Sequence, residues 1–184
     1  MSYLRTFAPW IVFAAVPSAY WQWAALTALL LAVLELAIRV RAGSRPAALV
    51  IEIGAALFFA AIAVLAFLDP HTALHAYVPA MSHSMLALIA GVSLAIGVPF
   101  TLAIAKQSAP EEVWEEPLFI RLNYVLTSVW TACFGIGAVA LTVLAHAPGP
   151  RFAAMVAVFV IPVVFTLRYV AHVQARAAAL GASA

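Results

Sequence analysis

The chain has 184 residues, of which 67% are hydrophobic and only 9% charged, with a mean hydropathy of +1.10. A soluble domain carries about 25% charged residues, and a small one leaves too much area in water to hide this much apolar surface, so the composition excludes a soluble fold. The net charge of +2 comes from a few basic residues near segment ends, which is no nucleic-acid footprint, and the lone Cys133 excludes an intrachain disulfide.

A helix crossing the membrane needs about 20 apolar residues, because it rises about 1.5 Å per residue through about 30 Å of hydrocarbon. The first apolar run, from Phe7 to Val40, is too long for one span and short for two. Pro17 and the patch Ser18-Ala19-Tyr20-Trp21-Gln22-Trp23 divide it, and Tyr and Trp favour the headgroup level. The expectation is a short hydrophobic helix over residues 7–16, crossing or re-entrant, followed by a span over 23–38. The apolar sequence resumes after Pro17, so the N-terminal stretch reads as retained membrane structure and not as a cleaved signal. Further apolar segments lie at 46–68, closed by Asp69-Pro70; at 77–105, with Pro99 predicting a kink or early end; at 122–145, stopped by the Pro148-Gly149-Pro150 turn; and at 152–169, with Pro162 inside. The fold class expected is all-α: a single polytopic helix bundle of four to five transmembrane helices plus the short N-terminal helix.

Lys and Arg counts in short joints set the orientation. Arg39, Arg41 and Arg45 mark the joint after the first span, Lys106 and Arg121 the joint near residue 112, and Arg168 and Arg176 the tail, while the joint 69–76 has none and the joint after the 122–145 segment only Arg151. This places those basic joints and the C-terminus in the cytoplasm. Arg5 favours a cytoplasmic N-terminus, provided that residues 7–16 cross.

Ionisable groups at membrane depth are costly and mark either pinning ion pairs or functional sites. Glu35 precedes Arg39 by four positions, on one helix face, and Glu52 enters the next segment from the same side. The three form an ion pair that pins the hairpin, or a proton or cation site in which two carboxylates share a low-dielectric environment. On the outer side, His71 and His75 stand four apart and His83 eight further on, a spacing that suits one helix face and a metal ion, with His146 nearby. HExxH, CxxC and CxxCH motifs are absent from the sequence, and no cofactor is expected. Ser82-His83-Ser84 lacks a placed acid for nucleophilic chemistry.

The joint Ser108–Pro117 holds four of the seven acidic residues, Glu111, Glu112, Glu115 and Glu116, around Trp114. A short amphipathic surface helix is expected there, serving as a polar connector or a docking loop for another membrane protein. Gly91 with Ala95, and Ser93 with Gly97, give small-xxx-small spacings for close helix packing, within the chain or in a homo-oligomer. Asn123, Thr127 and Ser128 are placed for interhelical hydrogen bonds.

The stretch Trp114-Glu-Glu-Pro-Leu-Phe-Ile-Arg-Leu-Asn123-Tyr-Val-Leu-Thr-Ser-Val-Trp130, with the short hydrophobic element at the N-terminus, resembles the intracellular septation protein A family. The resemblance implies a bacterial inner-membrane protein tied to envelope maintenance or division, with no catalytic residues to carry over. Three functions follow as expectations. The leading one is a non-enzymatic interaction protein in the lipid bilayer. The others are a small oligomeric transporter or channel using Glu35 and Glu52, and a metal- or haem-binding enzyme using the outer histidines.

Overall fold

The computed structural model describes residues 2–44, 46–107 and 109–181. Arg45 and Ser108 lie outside them, and the side chain of Arg5 is likewise outside the description. Seven α-helices follow in order: α1 Ser2–Ala15, α2 Trp21–Arg41, α3 Val50–Leu68, α4 Val78–Ala95, α5 Phe100–Ala105, α6 Pro117–Val143 and α7 Pro148–Gly181. No strand occurs among the described residues. Five helical stretches, built on α2, α3, α4, α6 and α7, are long and apolar enough to cross a membrane. Large apolar side chains such as Leu57, Val64, Ile136, Val139 and Leu167 point outward. Water would penalise such a surface, whereas hydrocarbon does not. The chain is a polytopic membrane helix bundle.

The helix ends show why the spans sit where they do. Pro17 and a single 3-10 turn, Ser18–Tyr20, separate α1 from α2, as the sequence predicts. At its other end, α2 stops at Gly43 (φ 77°), where Ser44 N–H reaches back to the Arg39 carbonyl at 3.1 Å. The same device ends α4: Gly97 (φ 75°) reverses the chain and Val98 N–H bonds to the Ser93 carbonyl at 3.0 Å. A left-handed residue satisfies the last carbonyls of a helix in this way, and glycine takes that conformation without a Cβ penalty. The 77–105 segment is therefore broken by Gly97 two residues before Pro99, and Gly97 acts there through its backbone conformation. Pro99 then leads directly into α5, whose first amide, Phe100 N–H, donates to Ser93 Oγ at 3.1 Å.

The Pro148-Gly149-Pro150 stretch, expected as a turn, is the first turn of α7, following the end of α6 at Val143, and Pro117 likewise opens α6. Proline suits that position because the first amides of a helix have no intrahelical acceptor. Beyond Tyr169, the Ala-rich tail carries α7 on to Gly181, as the high helix propensity of Ala and Arg favours.

The closest pairings are α2 with α3 and α4 with α6, with α7 laid on α6 and α1 on α2. Small residues permit them. Ala24, Ala25, Ala28 and Ala32 form the buried face of α2. Gly54 of α3 leaves no room for a Cβ, which would lie 2.5 Å from Ile89 of α4. Gly137 of α6 sits as tightly on Val158 of α7 and the ring of His83. Gly91, singled out by its spacing, faces Thr131 with ordinary clearance, 3.9 Å from where its Cβ would be.

The bundle has two ends. The arginine end carries the 42–49 and 106–116 joints; the histidine end carries the 69–77 and 144–147 joints. α1 runs between them. Phe7 packs near Ile51 and Phe100 toward the arginine end, while Phe13 and Val16 lie with Trp21 and His75 at the histidine end. Helix α1 is thus antiparallel to α2, although its 14 residues span only about 21 Å.

Candidate functional site

At the arginine end the polar groups are consumed by the fold. Glu52 is the third residue of α3, since Pro46–Leu49 form a 3-10 turn before it. It therefore sits where the free amides of a helix start favour a carboxylate. Its side chain is only 3% exposed, and Arg39 Nη1 lies 3.0 Å from Oε1. A second nitrogen of Arg39 donates to the Ala48 carbonyl at 3.3 Å, tying α2 to the turn before α3. The alignment makes this an ion pair and not a hydrogen bond, and Oε2 has no hydrogen-bond partner. Glu35 is half-buried and near enough to Glu52 for their charges to interact. The structure thus brings together the three residues the sequence grouped.

The break after α4 is secured by a second polar cluster. Thr101 Oγ1 donates to the Asn123 carbonyl at 2.9 Å and lies 2.8 Å from Thr127 Oγ1, with Thr127 fully buried. The Asn123 amide turns back to its own helix, donating to the Phe119 carbonyl at 2.9 Å. Ser128 also bonds within α6, to the Tyr124 carbonyl at 2.8 Å. Thr101 was not singled out in the sequence; its signal is a hydroxyl placed directly after the Pro99-Phe100 restart.

The acidic connector is a single 3-10 turn, Glu111–Val113, and not an amphipathic helix. Pro110 precedes that turn, and Pro117 starts α6 too soon for more to form. Trp114 is fixed by two contacts: its indole N–H donates to the Ala109 carbonyl at 3.0 Å, and the Lys106 ammonium, itself 3.7 Å from Glu115, lies 5.2 Å from its ring centre. Glu111, Glu112, Glu115 and Glu116 are all exposed. An ion pair so exposed contributes little.

The histidine end differs. A cavity of about 570 Å³ lies there, walled by α1, α2, α4, the N-terminal half of α7 and the 72–76 joint. Trp21 forms one wall, held by its N–H bond to the Pro70 carbonyl at 3.1 Å and stacked on His75 with ring centres 4.6 Å apart. His83 forms the inner wall. Nδ1 donates to the Pro79 carbonyl at 2.8 Å, and the ring sits edge-on to Phe134 and Phe159. That bond leaves Nε2 as an acceptor in the neutral ring, and Nε2 is buried without a partner. Trp10 also lines the cavity, stacked on Phe58, and its indole N–H is likewise buried and unpartnered. Ser82 and Ser84 direct their hydroxyls to the carbonyls of Val78 and Ala80 in their own helix, at 2.9 and 3.0 Å. No serine–histidine couple forms.

At the mouth stand Arg151, with one N–H on the Ala145 carbonyl at 3.0 Å, and His146, 3.3 Å from the Tyr77 hydroxyl. His71 is exposed and does not line this cavity, so the structure unites His75, His83 and His146 there but not the sequence's triplet. Among the described residues, no three His, Cys, Asp or Glu side chains are grouped to hold a metal ion. Trp10 was not singled out in the sequence, and Arg151 was counted only as the charge of its joint. An indole in the middle of a 14-residue apolar helix and a charge directly after Pro-Gly-Pro were the available signals.

A second cavity, about 610 Å³, occupies the arginine half between α1, α5, α6 and α7, bordered by Phe7, Trp130 and Leu167. Neither large cavity is lined by Glu35 or Glu52.

These features define a multi-pass membrane protein with a large cavity in each half of the bundle. Comparison with family models, curated proteins and solved structures gives no match to this chain.

Proposed function

We propose that this is a non-enzymatic bacterial inner-membrane protein that holds an amphiphilic small molecule in the cavity at the histidine end. The observation that carries the reading is the pairing of a drug-sized cavity, about 570 Å³, with two buried polar atoms left without partners, Trp10 Nε1 and His83 Nε2. A buried donor without an acceptor costs roughly 1–3 kcal/mol. Ligand pockets are typically apolar with a few such groups. A hydroxyl, which can accept from the indole N–H and donate to His83 Nε2, suits both atoms, whereas a carbonyl suits the indole alone.

The basic joints after α2 and before α6, with the tail, orient the arginine end and the C-terminus to the cytoplasm, so the cavity faces the outer leaflet. The antiparallel course of α1 supports a cytoplasmic N-terminus. A role in envelope maintenance or division, implied by the resemblance to the septation protein A family, is compatible with a site open to that side. The proton- or cation-handling reading of Glu35 and Glu52 loses ground, because Arg39 occupies Glu52 and neither large cavity reaches the pair.

The test is native mass spectrometry of the full chain released from its own membranes into a neutral detergent. A co-purifying amphiphile is expected, and Met155→Trp, which fills the cavity wall, should release it. An equal load on both proteins would refute the site.

A further inference from the structure

We infer that the outer cavity selects a lipid phosphate, with Arg151 as the residue that reads the headgroup and the cleft between α1 and α7 as the seat of the chain. The inference rests on the ligand-binding reading above and adds its chemistry.

Charge comes first. The mouth gathers the Arg151 guanidinium, His146 and His75, and no Asp or Glu lines the cavity. A guanidinium has five N–H donors, and one of them reaches the Ala145 carbonyl at 3.0 Å. That single bond holds the group at the mouth and leaves the rest of its fork for an anion. Arg recognises phosphate through paired, charge-assisted bonds. The imidazoles add further donors around the same mouth, which suits a group with several acceptor oxygens.

Shape comes second. α1 packs on α2 and α3, and α7 on α6, so the two helices flank α4 from opposite sides. The cavity lies between them, with Phe13 on one lip and Phe159, 38% exposed, on the other. The same two helices border the second cavity farther down. An apolar chain in this cleft thus meets a cavity whose head end is basic and whose walls are mostly apolar. Arg151 lies at the start of the helix that follows the 144–147 joint, the depth at which the phosphates of a bilayer lie. Trp10, farther along α1 from the histidine end, also lines the cavity and has an unpartnered indole N–H that an ester carbonyl would satisfy.

The experiment measures binding of dioleoyl phosphatidate, dioleoylglycerol and oleate to the delipidated full chain in neutral detergent, by native mass spectrometry. Phosphatidate should bind roughly tenfold or more tightly than dioleoylglycerol, the scale of one charged hydrogen-bonding contact. Arg151→Gln should abolish that preference and leave dioleoylglycerol binding intact, and Met155→Trp should weaken both. If Arg151→Gln does not fold, Arg151→Lys, which keeps the charge but loses the fork, should weaken phosphatidate alone. Equal binding of phosphatidate and dioleoylglycerol, with both lost in Met155→Trp, would overturn the phosphate inference and keep the cavity reading. Oleate binding as tightly as phosphatidate would show a reader of anions in general and overturn the phosphate assignment. A preference that survives in both Arg151 variants would overturn the role of Arg151. No binding by any of the three lipids would overturn the inference together with the reading beneath it.

Discussion

The two ends of the bundle treat buried polar groups differently. At the arginine end, Arg39 meets Glu52 at 3.0 Å and Thr101 meets Thr127 at 2.8 Å, so these side chains close joints, although the Glu52 oxygens accept no hydrogen bond and are held by charge. At the histidine end, Trp10 Nε1 and His83 Nε2 are as deeply buried and meet nothing, beside a cavity of about 570 Å³. Hydrocarbon exacts the same cost from both, because no water is present to take the place of a missing partner. The difference teaches that burial of an ionisable group does not by itself point to function. Glu52 is the more alarming residue in the sequence and the better explained in the structure.

The largest expected effect breaks the arginine end. Glu52→Ala strands the Arg39 guanidinium at a helix–helix contact, and removing one partner of a buried ion pair costs about 3–5 kcal/mol. Replacing both residues with Met should recover most of the loss, since two apolar side chains leave no uncompensated charge. Reversible unfolding in mixed micelles measures both. If the pair were instead a proton site, the double variant would fold well and lose a proton-coupled flux in liposomes; the expectation is that no such flux exists to lose. Next comes the packing that holds both ends together. Gly54→Ala drives a methyl to 2.5 Å from Ile89, an overpacking of about 1–3 kcal/mol, and Ile89→Val should restore part of it. Gly97→Ala forces a Cβ into the left-handed conformation at φ 75°, at about 1–2 kcal/mol, and should loosen α5 without touching the cavity.

These sites were unequally legible. The apolar runs announced the spans, because length and hydropathy alone decide what can cross hydrocarbon. The Glu35–Arg39–Glu52 group was legible too, since two adjacent segments of a hairpin carried charge at matching depth. What the sequence concealed depends on contacts between distant segments. Nothing local marks Gly54 or Gly137 as the tightest approaches, whereas the visible spacing at Gly91 led to a loose one. The spacing of His71, His75 and His83 suggested a common helical face. The 3-10 turn Ala73–Tyr77 breaks that register and leaves His71 on the surface. Trp10 and Arg151 are 141 positions apart in the chain, and only the antiparallel course of α1 brings them to one cavity.

The smallest structural effect is the one that separates the two ends most cleanly. Thr101→Val removes the hydroxyl that bridges Asn123 and Thr127, and interhelical bonds of this kind contribute about 1 kcal/mol or less in membranes. At the histidine end, Trp10→Phe removes an N–H that already lacks an acceptor. It gives up some stacking on Phe58, with ring centres now 5.2 Å apart, and relieves the cost of an unpaired donor, so the two changes oppose each other and the stability of the empty protein should move little. The informative quantity is the stabilisation added by bound amphiphile, since a ligand that binds only the folded state raises its stability in proportion to its affinity. Thr101→Val should lower stability equally with and without ligand, because its bond belongs to the fold. Trp10→Phe should leave the empty protein nearly unchanged and shrink the ligand-induced gain, because its N–H is satisfied only when the cavity is filled. If both variants lower stability by the same amount with and without ligand, the Trp10 indole is merely packing, and the contrast between the two ends disappears.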